Sequence, residues 1–185
     1  MVQQDLSRGI WLRKCYSRCA TGSKGYTGRG TLSLMETTAG TYALILWSVV
    51  DCPLQIGRAG RLHVRRGFYV YIGSALGPGG VRARVSHHRK PPARPHWHID
   101  YLREVTQLEE IWVTYDLMRR EHQWADLFKR MRGASIPMER FGASDCVCES
   151  HLYFFRTRPS RLAFRNRTRN SFRGHGPVYF HHTSL

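Results

Sequence analysis

Acidic residues are scarce in this chain. Among its 185 residues, 13 Asp and Glu stand against 29 Lys and Arg, a formal charge of +16 at pH 7. No run of about 18 apolar residues occurs, which excludes a helical membrane span. The N-terminal "GIWL" is too short for a secretory apolar region, so the expected location is cytoplasmic. The five cysteines are odd in number and follow no framework spacing, which argues against a disulfide scaffold and suits a reducing compartment.

What is present points to one domain with tails. The basic excess is uneven. Residues 1–39 carry six basic and two acidic side chains, 40–157 carry 17 and 11, and 158–185 carry six and none. Basic flanks attract any polyanion, so charge together with aromatic content favours a nucleic-acid partner over a merely solubilising surface. Residues 1–39 are small, polar and glycine-rich, and read as a disordered or mis-assigned extension, with Met35 as the expected start. Residues 158–185 read as a basic disordered tail.

Between the flanks, 40–157 form the expected folded unit. "TYALILWSVV" (41–50) is a strand buried on both faces, and "GFYVYIGSA" (67–75) is a second. A small hairpin is expected between them. "GPGGVRARVSHHRK" turns into a short helix, "HWHIDYLREV" is another, and "LEEIWVTYD" is a third strand. "DLMRREHQWADLFKRMRG" reads as the best helix, ended by Gly133. The order predicts an α+β domain with helices on a three-stranded, mainly antiparallel sheet.

Two helices carry candidate chemistry. At 100° per residue Leu117, Trp124, Phe128 and Met131 share one arc, with Met118 and Ala125 at its edge and Glu121 near its centre. A carboxylate on a core-facing stripe needs an ion-pair partner or a metal. In "VRARVSHH", Val81 and Val85 form the apolar contact while Arg84 and His88 lie one turn apart, either as a phosphate-binding pair or as a solvated basic face.

"GTY" (40–42), "YIG" (71–73), a helix with Arg84 and His88, and a lone helical Glu121 together resemble the GIY-YIG nuclease superfamily. The string "YIGSALGPGGVRARVSHH", followed by "HWHIDYL" and "FGASDCVCESHL", is similar to its Uri-type branch over residues 40–156. The resemblance implies a GIY-YIG-like fold and metal-dependent endonuclease activity on phosphodiester bonds, with Mg²⁺ or Mn²⁺ as cofactor and DNA as the expected partner. By position it implies Tyr42, Tyr71, Arg84 and His88 as site residues, Gly40 and Gly73 as motif glycines, and Glu121 as metal ligand. Tyr71 is then a site phenol and Tyr69 packing. The threonine of GTY is a β-branched swap of little expected consequence. The gap between half-motifs is long, with "IGRAGRLHVRRG" as an insertion. No asparagine follows the glutamate helix, and Ser150 and His151 are candidates to complete the site.

In that chemistry a tyrosine, either Tyr42 or Tyr71, takes a proton from water. A free phenol has a pKa of about 10, so neighbouring positive charge from Arg84, the metal and His88 is expected to lower it. "DCVCESH" offers a second metal: Cys146, Cys148 and His151, with His96 or His98, as zinc ligands, against cysteines that are merely small core residues. Three functions compete: an endonuclease, a non-catalytic nucleic-acid-binding module of the same fold, and a basic interaction protein acting through its tails.

Overall fold

The computed structural model describes residues 35–89 and 94–183. The fold is built around β1 (Gly40–Ser48), whose nine residues are all buried except the half-buried Trp47. A strand with no polar face must lie inside a sheet covered on both sides. β1 pairs antiparallel with β4 (Gly67–Ala75) on one edge and with β5 (Gln107–Thr114) on the other. Between β1 and β4, β2 (Cys52–Ile56) and β3 (Gly60–Val64) form the expected hairpin as a separate two-stranded sheet.

Among the described residues the main sheet has six strands where three are expected, in the order β6-β7-β4-β1-β5-β8. β6 (Ala134–Ser135) and β7 (Leu152–Phe155) extend it beyond β4, and β8 (Tyr179–His182) pairs with β5 at the far edge. Four helices among the described residues flank it: α1 (Gly80–His88), α2 (His98–Arg103), α3 (Glu121–Lys129) and α4 (Arg161–Ser171). The molecule is therefore α+β with an antiparallel sheet.

Side chains alternate between two cores. Tyr42, Leu44 and Leu46 of β1, with Tyr69 of β4, pack against Val81 and Val85 of α1, Ile99 and Leu102 of α2 and the hairpin. Ala43, Ile45, Val70 and Ile72 face the other way, onto Trp124 and Phe128 of α3 and Phe164 of α4.

Two expectations are overturned here. The segment read as a disordered basic tail contains α4 and β8. Ser160 caps α4 by accepting from the Ala163 N–H at 3.2 Å, and Phe164 is buried. Two of its arginines are held internally. The buried Glu110 carboxylate accepts from Arg158, from Arg161 Nε at 2.7 Å and from Trp112 Nε1 at 2.8 Å. Desolvation pushes that carboxyl up, but the three hydrogen bonds outweigh it and hold its pKa below the usual value. At the other flank, residues 1–34 and the reading of Met35 as a start lie outside the described residues. Met35 itself is buried, and the carbonyls of Glu36 and Thr38 accept from Arg82 and Val81 at the start of α1.

The second correction concerns α3, which begins at Glu121 and not near Asp116. Asp116 Oδ1 accepts from the Met118 N–H at 3.0 Å, a side-chain turn that competes with helix. Leu117 is 81% exposed and Met118 60%, so neither belongs to the apolar stripe. Glu121 occupies the first helical position, where the positive end of the helix dipole favours a carboxylate.

Candidate functional site

The register of β1 against β4 explains the two half-motifs. Tyr42 lies directly across from Gly73, Leu44 from Tyr71 and Leu46 from Tyr69. Because side chains alternate, Tyr69, Tyr71 and Gly73 share the face of Tyr42. The Tyr42 ring lies over Gly73, where a Cβ would meet its hydroxyl at 2.5 Å. The glycine makes room for the phenol. Gly40 is a packing position instead, since a Cβ there would meet the Thr114 carbonyl oxygen at 2.3 Å. Tyr69 is fully buried, its hydroxyl accepting from Arg65 N at 2.7 Å, as its reading as packing requires.

At the end of these strands opens a cavity of about 150 Å³. Tyr42, Tyr71, Gly73, Arg84, His88 and Glu121 all line it, with Trp97, Arg119, Asp145 and His151. The structure thus brings together six of the seven residues singled out through the motifs, Gly40 excepted. Of the two candidates to complete the site, His151 reaches the cavity. Ser150 is buried, and its hydroxyl accepts from the Leu152 N–H at 3.0 Å at the start of β7.

The geometry assigns unequal surroundings to the two phenols. Tyr42 is buried and its hydroxyl lies 2.9 Å from His88 Nε2. Tyr71 is half-buried at the cavity, edge-on to His88 and Phe141. Both phenols have raised pKa values. For Tyr42 desolvation is the largest cause and Tyr71 the next; for Tyr71 desolvation leads and the Glu121 carboxylate follows. Arg84 opposes the shift in both. His88 does not, because desolvation and then His87 push its pKa down to about 3. His88 is neutral at pH 7, which corrects the expectation that it lends positive charge to the phenols.

Arg84 owes its placement to a residue with no motif. Its guanidinium lies 4.7 Å from the ring centre of Trp97, a cation–π contact. Trp97 is in turn held at the start of α2 by Asp100, whose Oδ2 accepts from the His96 and Trp97 backbone N–H groups, each at 2.9 Å. The proline-rich segment ahead of α2 gave no sign of this contact.

Glu121 is 7% exposed and faces the cavity, with Arg119 Nε at 3.2 Å from its carboxylate. The ion pair and the open, oxygen-rich cavity therefore coexist. Thr41, the middle residue of GTY, is buried, and its hydroxyl accepts from the backbone N–H of Arg120 at 3.1 Å. Arg120 is fixed further by Asp116 at 2.7 Å and by the Gly174 carbonyl at 3.0 Å. These bonds pin the entry to α3 and hence the position of Glu121. The threonine matters more here than a β-branched swap suggests.

Cys146, Cys148 and His151 do come together, and His122 joins them as the fourth group. His96 and His98, the expected alternatives, do not. His98 Nδ1 instead accepts from the Gly142 N–H at 3.2 Å. His122 follows Glu121 directly, and the first-turn histidine of a helix is the signal that spacing within "DCVCESH" could not supply.

An α+β protein whose sheet ends in a polar cavity, lined by two phenols, two arginines, two histidines and two carboxylates, is the class that this fold and site define. The family model described as a domain of unknown function, DUF123, matches residues 41–173. The chain belongs to that family. The match takes in every cavity residue and runs through α4, so the unit extends past the expected boundary at 157. No curated protein and no solved structure matches the chain.

Proposed function

We propose that the protein is a divalent-cation-dependent endonuclease that hydrolyses phosphodiester bonds in nucleic acid, with DNA as its substrate, as its resemblance to the Uri-type branch of the GIY-YIG superfamily implies. The observation that carries this reading is the convergence of Tyr42, Tyr71, Arg84, His88 and Glu121, drawn from four separate elements, on one cavity.

The donor set fits a hard cation. Glu121 offers a nearly buried carboxylate and Asp145 also lines the cavity, and oxygen ligands are what Mg²⁺ and Mn²⁺ prefer. Bound there, such a cation would neutralise charge on the scissile phosphate and its leaving oxygen. The chain's own groups do the rest. Arg84 presents its planar fork to the non-bridging oxygens, pre-oriented by Trp97. Tyr71, at the cavity surface, would lose its own proton to solvent once a bound cation offsets Glu121. As a phenolate it takes the proton of the attacking water, while the leaving oxygen is protonated from solvent. Tyr42 is buried against His88 and orients the site from below. Glu121 raises the Tyr71 pKa, so neutralising that carboxylate removes the largest electrostatic obstacle to the phenolate.

The test is cleavage of labelled single-stranded, duplex, flap and RNA substrates with Mg²⁺ or Mn²⁺, wild type beside Glu121→Ala and Arg84→Ala. Wild type is expected to cut, Glu121→Ala to lose about 10³-fold or more while still binding DNA, and Arg84→Ala to lose about 10²-fold or more. Tight binding by wild type without cutting of any substrate would establish the non-catalytic binding module instead.

A further inference from the structure

The sulfur atoms of Cys146 and Cys148 and one ring nitrogen each of His122 and His151 lie within 4.8 Å of one another. We propose that these four side chains bind a single zinc ion that clasps helix α3 to the loop walling the cavity. The inference stands apart from the cleavage reading and would hold for a binding module as well.

Geometry is the first support. Two thiolates and two imidazoles are a closed donor set of the kind that makes tetrahedral structural zinc sites. With metal–ligand distances of about 2.3 Å to sulfur and 2.0–2.1 Å to nitrogen, a sulfur–nitrogen edge of such a tetrahedron is about 3.5 Å. His122 Nδ1 is 3.2 Å from Cys148 Sγ, and His151 Nε2 is 3.5 Å from Cys146 Sγ. Two of the six edges of the polyhedron are thus already near the required length, and the remaining pairs lie within 4.8 Å.

The loop is also built to present the thiols. Val147, between the two cysteines, is 99% exposed, so its neighbours turn inward together. Arg140 Nη1 donates to the carbonyls of Cys146 at 2.6 Å and Cys148 at 3.1 Å. His151 N donates to the Phe141 carbonyl at 2.8 Å, and Arg140 N to that of Glu149 at 2.6 Å. Both cysteines are half-buried, in contrast to the buried Cys52, although Cys148 also packs against the edge of the aromatic core. The short C-x-C spacing, unusual for a zinc knuckle, is accommodated because the other two ligands come from α3 and from the start of β7.

A third observation concerns His122. Its Nε2 lies 3.6 Å from the Glu121 carboxylate, while Nδ1 faces the thiols. Metal-bound histidines commonly turn their second nitrogen towards a carboxylate, which sets the tautomer and leaves the other nitrogen free to ligate. Sulfur ligands select zinc over Mg²⁺ or Mn²⁺, so this site is chemically distinct from the oxygen cavity beside it. Binding converts two thiols to thiolates, whose protons pass to solvent, and no redox change occurs.

The experiment is elemental analysis of the untagged full-length protein, followed by Co²⁺ exchange. One zinc per chain is expected, with a thiolate-to-cobalt charge-transfer band after exchange. Cys146→Ser, Cys148→Ser and His122→Ala should each lower zinc affinity at least tenfold. Cys15→Ser/Cys19→Ser, which removes two thiols outside the described residues, should leave it unchanged. Should the variants fail to fold, titration of wild type with a mercurial is the second readout, and zinc release tracking two thiols supports the site. A metal-free protein with no cobalt–thiolate band overturns the proposal. So does zinc that survives loss of Cys146 or His122, or a Cys146–Cys148 disulfide in the native protein.

Discussion

On one face of the sheet, Trp112, Trp124, Phe128 and Phe164 pack ring against ring, Phe128 and Phe164 nearly parallel at 4.5 Å and Trp124 edge-on to Phe164 at 4.9 Å. On the other, one strand's thickness away, Tyr42 leans over a glycine towards a neutral histidine, and the layer opens into a polar cavity. Both faces draw on β1 and β4, with alternate residues sent each way. The aromatic face supplies large buried areas and close packing, which fix the strands. The opposite face can then hold buried polar groups at a cost in stability. A site that places His88 and Glu121 out of water rests on a packed layer behind it.

The contrast can be broken from the aromatic side first. Phe164→Ala removes a fully buried ring that touches Trp112, Trp124 and Phe128, and should cost about 3–5 kcal/mol in chemical denaturation. A smaller loss would mean that α4 is an appendage and not half of the layer.

The site face should reveal itself by pH. Folded His88 has a pKa of about 3 against an ordinary 6.5, so below pH 6.5 the unfolded chain binds the extra proton. Stability is then fully present above pH 6.5 and falls as pH drops towards 3, by about 1.4 kcal/mol per unit through most of that window. Unfolding free energies at pH 7, 6 and 5 should fall more steeply in wild type than in His88→Phe by about that amount, the other desolvated histidines contributing alike to both. Equal slopes would place the histidine in water.

The smallest effect sharpens the border between the two. Leu117→Ser should change stability by no more than about 0.5 kcal/mol, since the side chain is exposed ahead of α3. A cost of several kcal/mol would restore it to the helix stripe.

The legible parts of the chain are those where one face or one period dominates. β1 holds an apolar run from Tyr42 to Trp47, and the alternation of Tyr69, Tyr71 and Gly73 with Val70 and Ile72 marks β4. The hairpin, α1, α2 and β5 carry turn residues or periodic patterns of their own. What escaped reading is stabilised by contacts that no local window contains. α4 buries Phe164 and Thr168 but is otherwise arginine-rich, and the charges of Arg158 and Arg161 look free until Glu110 is folded against them. Its one local signal was Ser160 preceding Phe164 and Thr168 at helical spacing. β7 is four apolar residues, too short to assign by period, and β8 is an edge strand with two histidines. In and around the cavity, the residues tied to a motif are legible, while Trp97, Thr41 and His122 act through contacts between distant parts of the chain. The stripe containing Leu117 failed because Asp116 makes a turn where periodicity alone continues a helix.

The pairing of Tyr42 with Gly73 also bears on how the molecule assembles. The two residues sit on strands separated by an entire hairpin, and their fit depends on a single strand register. A slip of one position would send the phenol to the aromatic side and present it with a side chain where it now has a hydrogen atom. The cavity therefore depends on a long-range pairing, and any collapsed form with correct helices but an unset sheet is a form without a pocket.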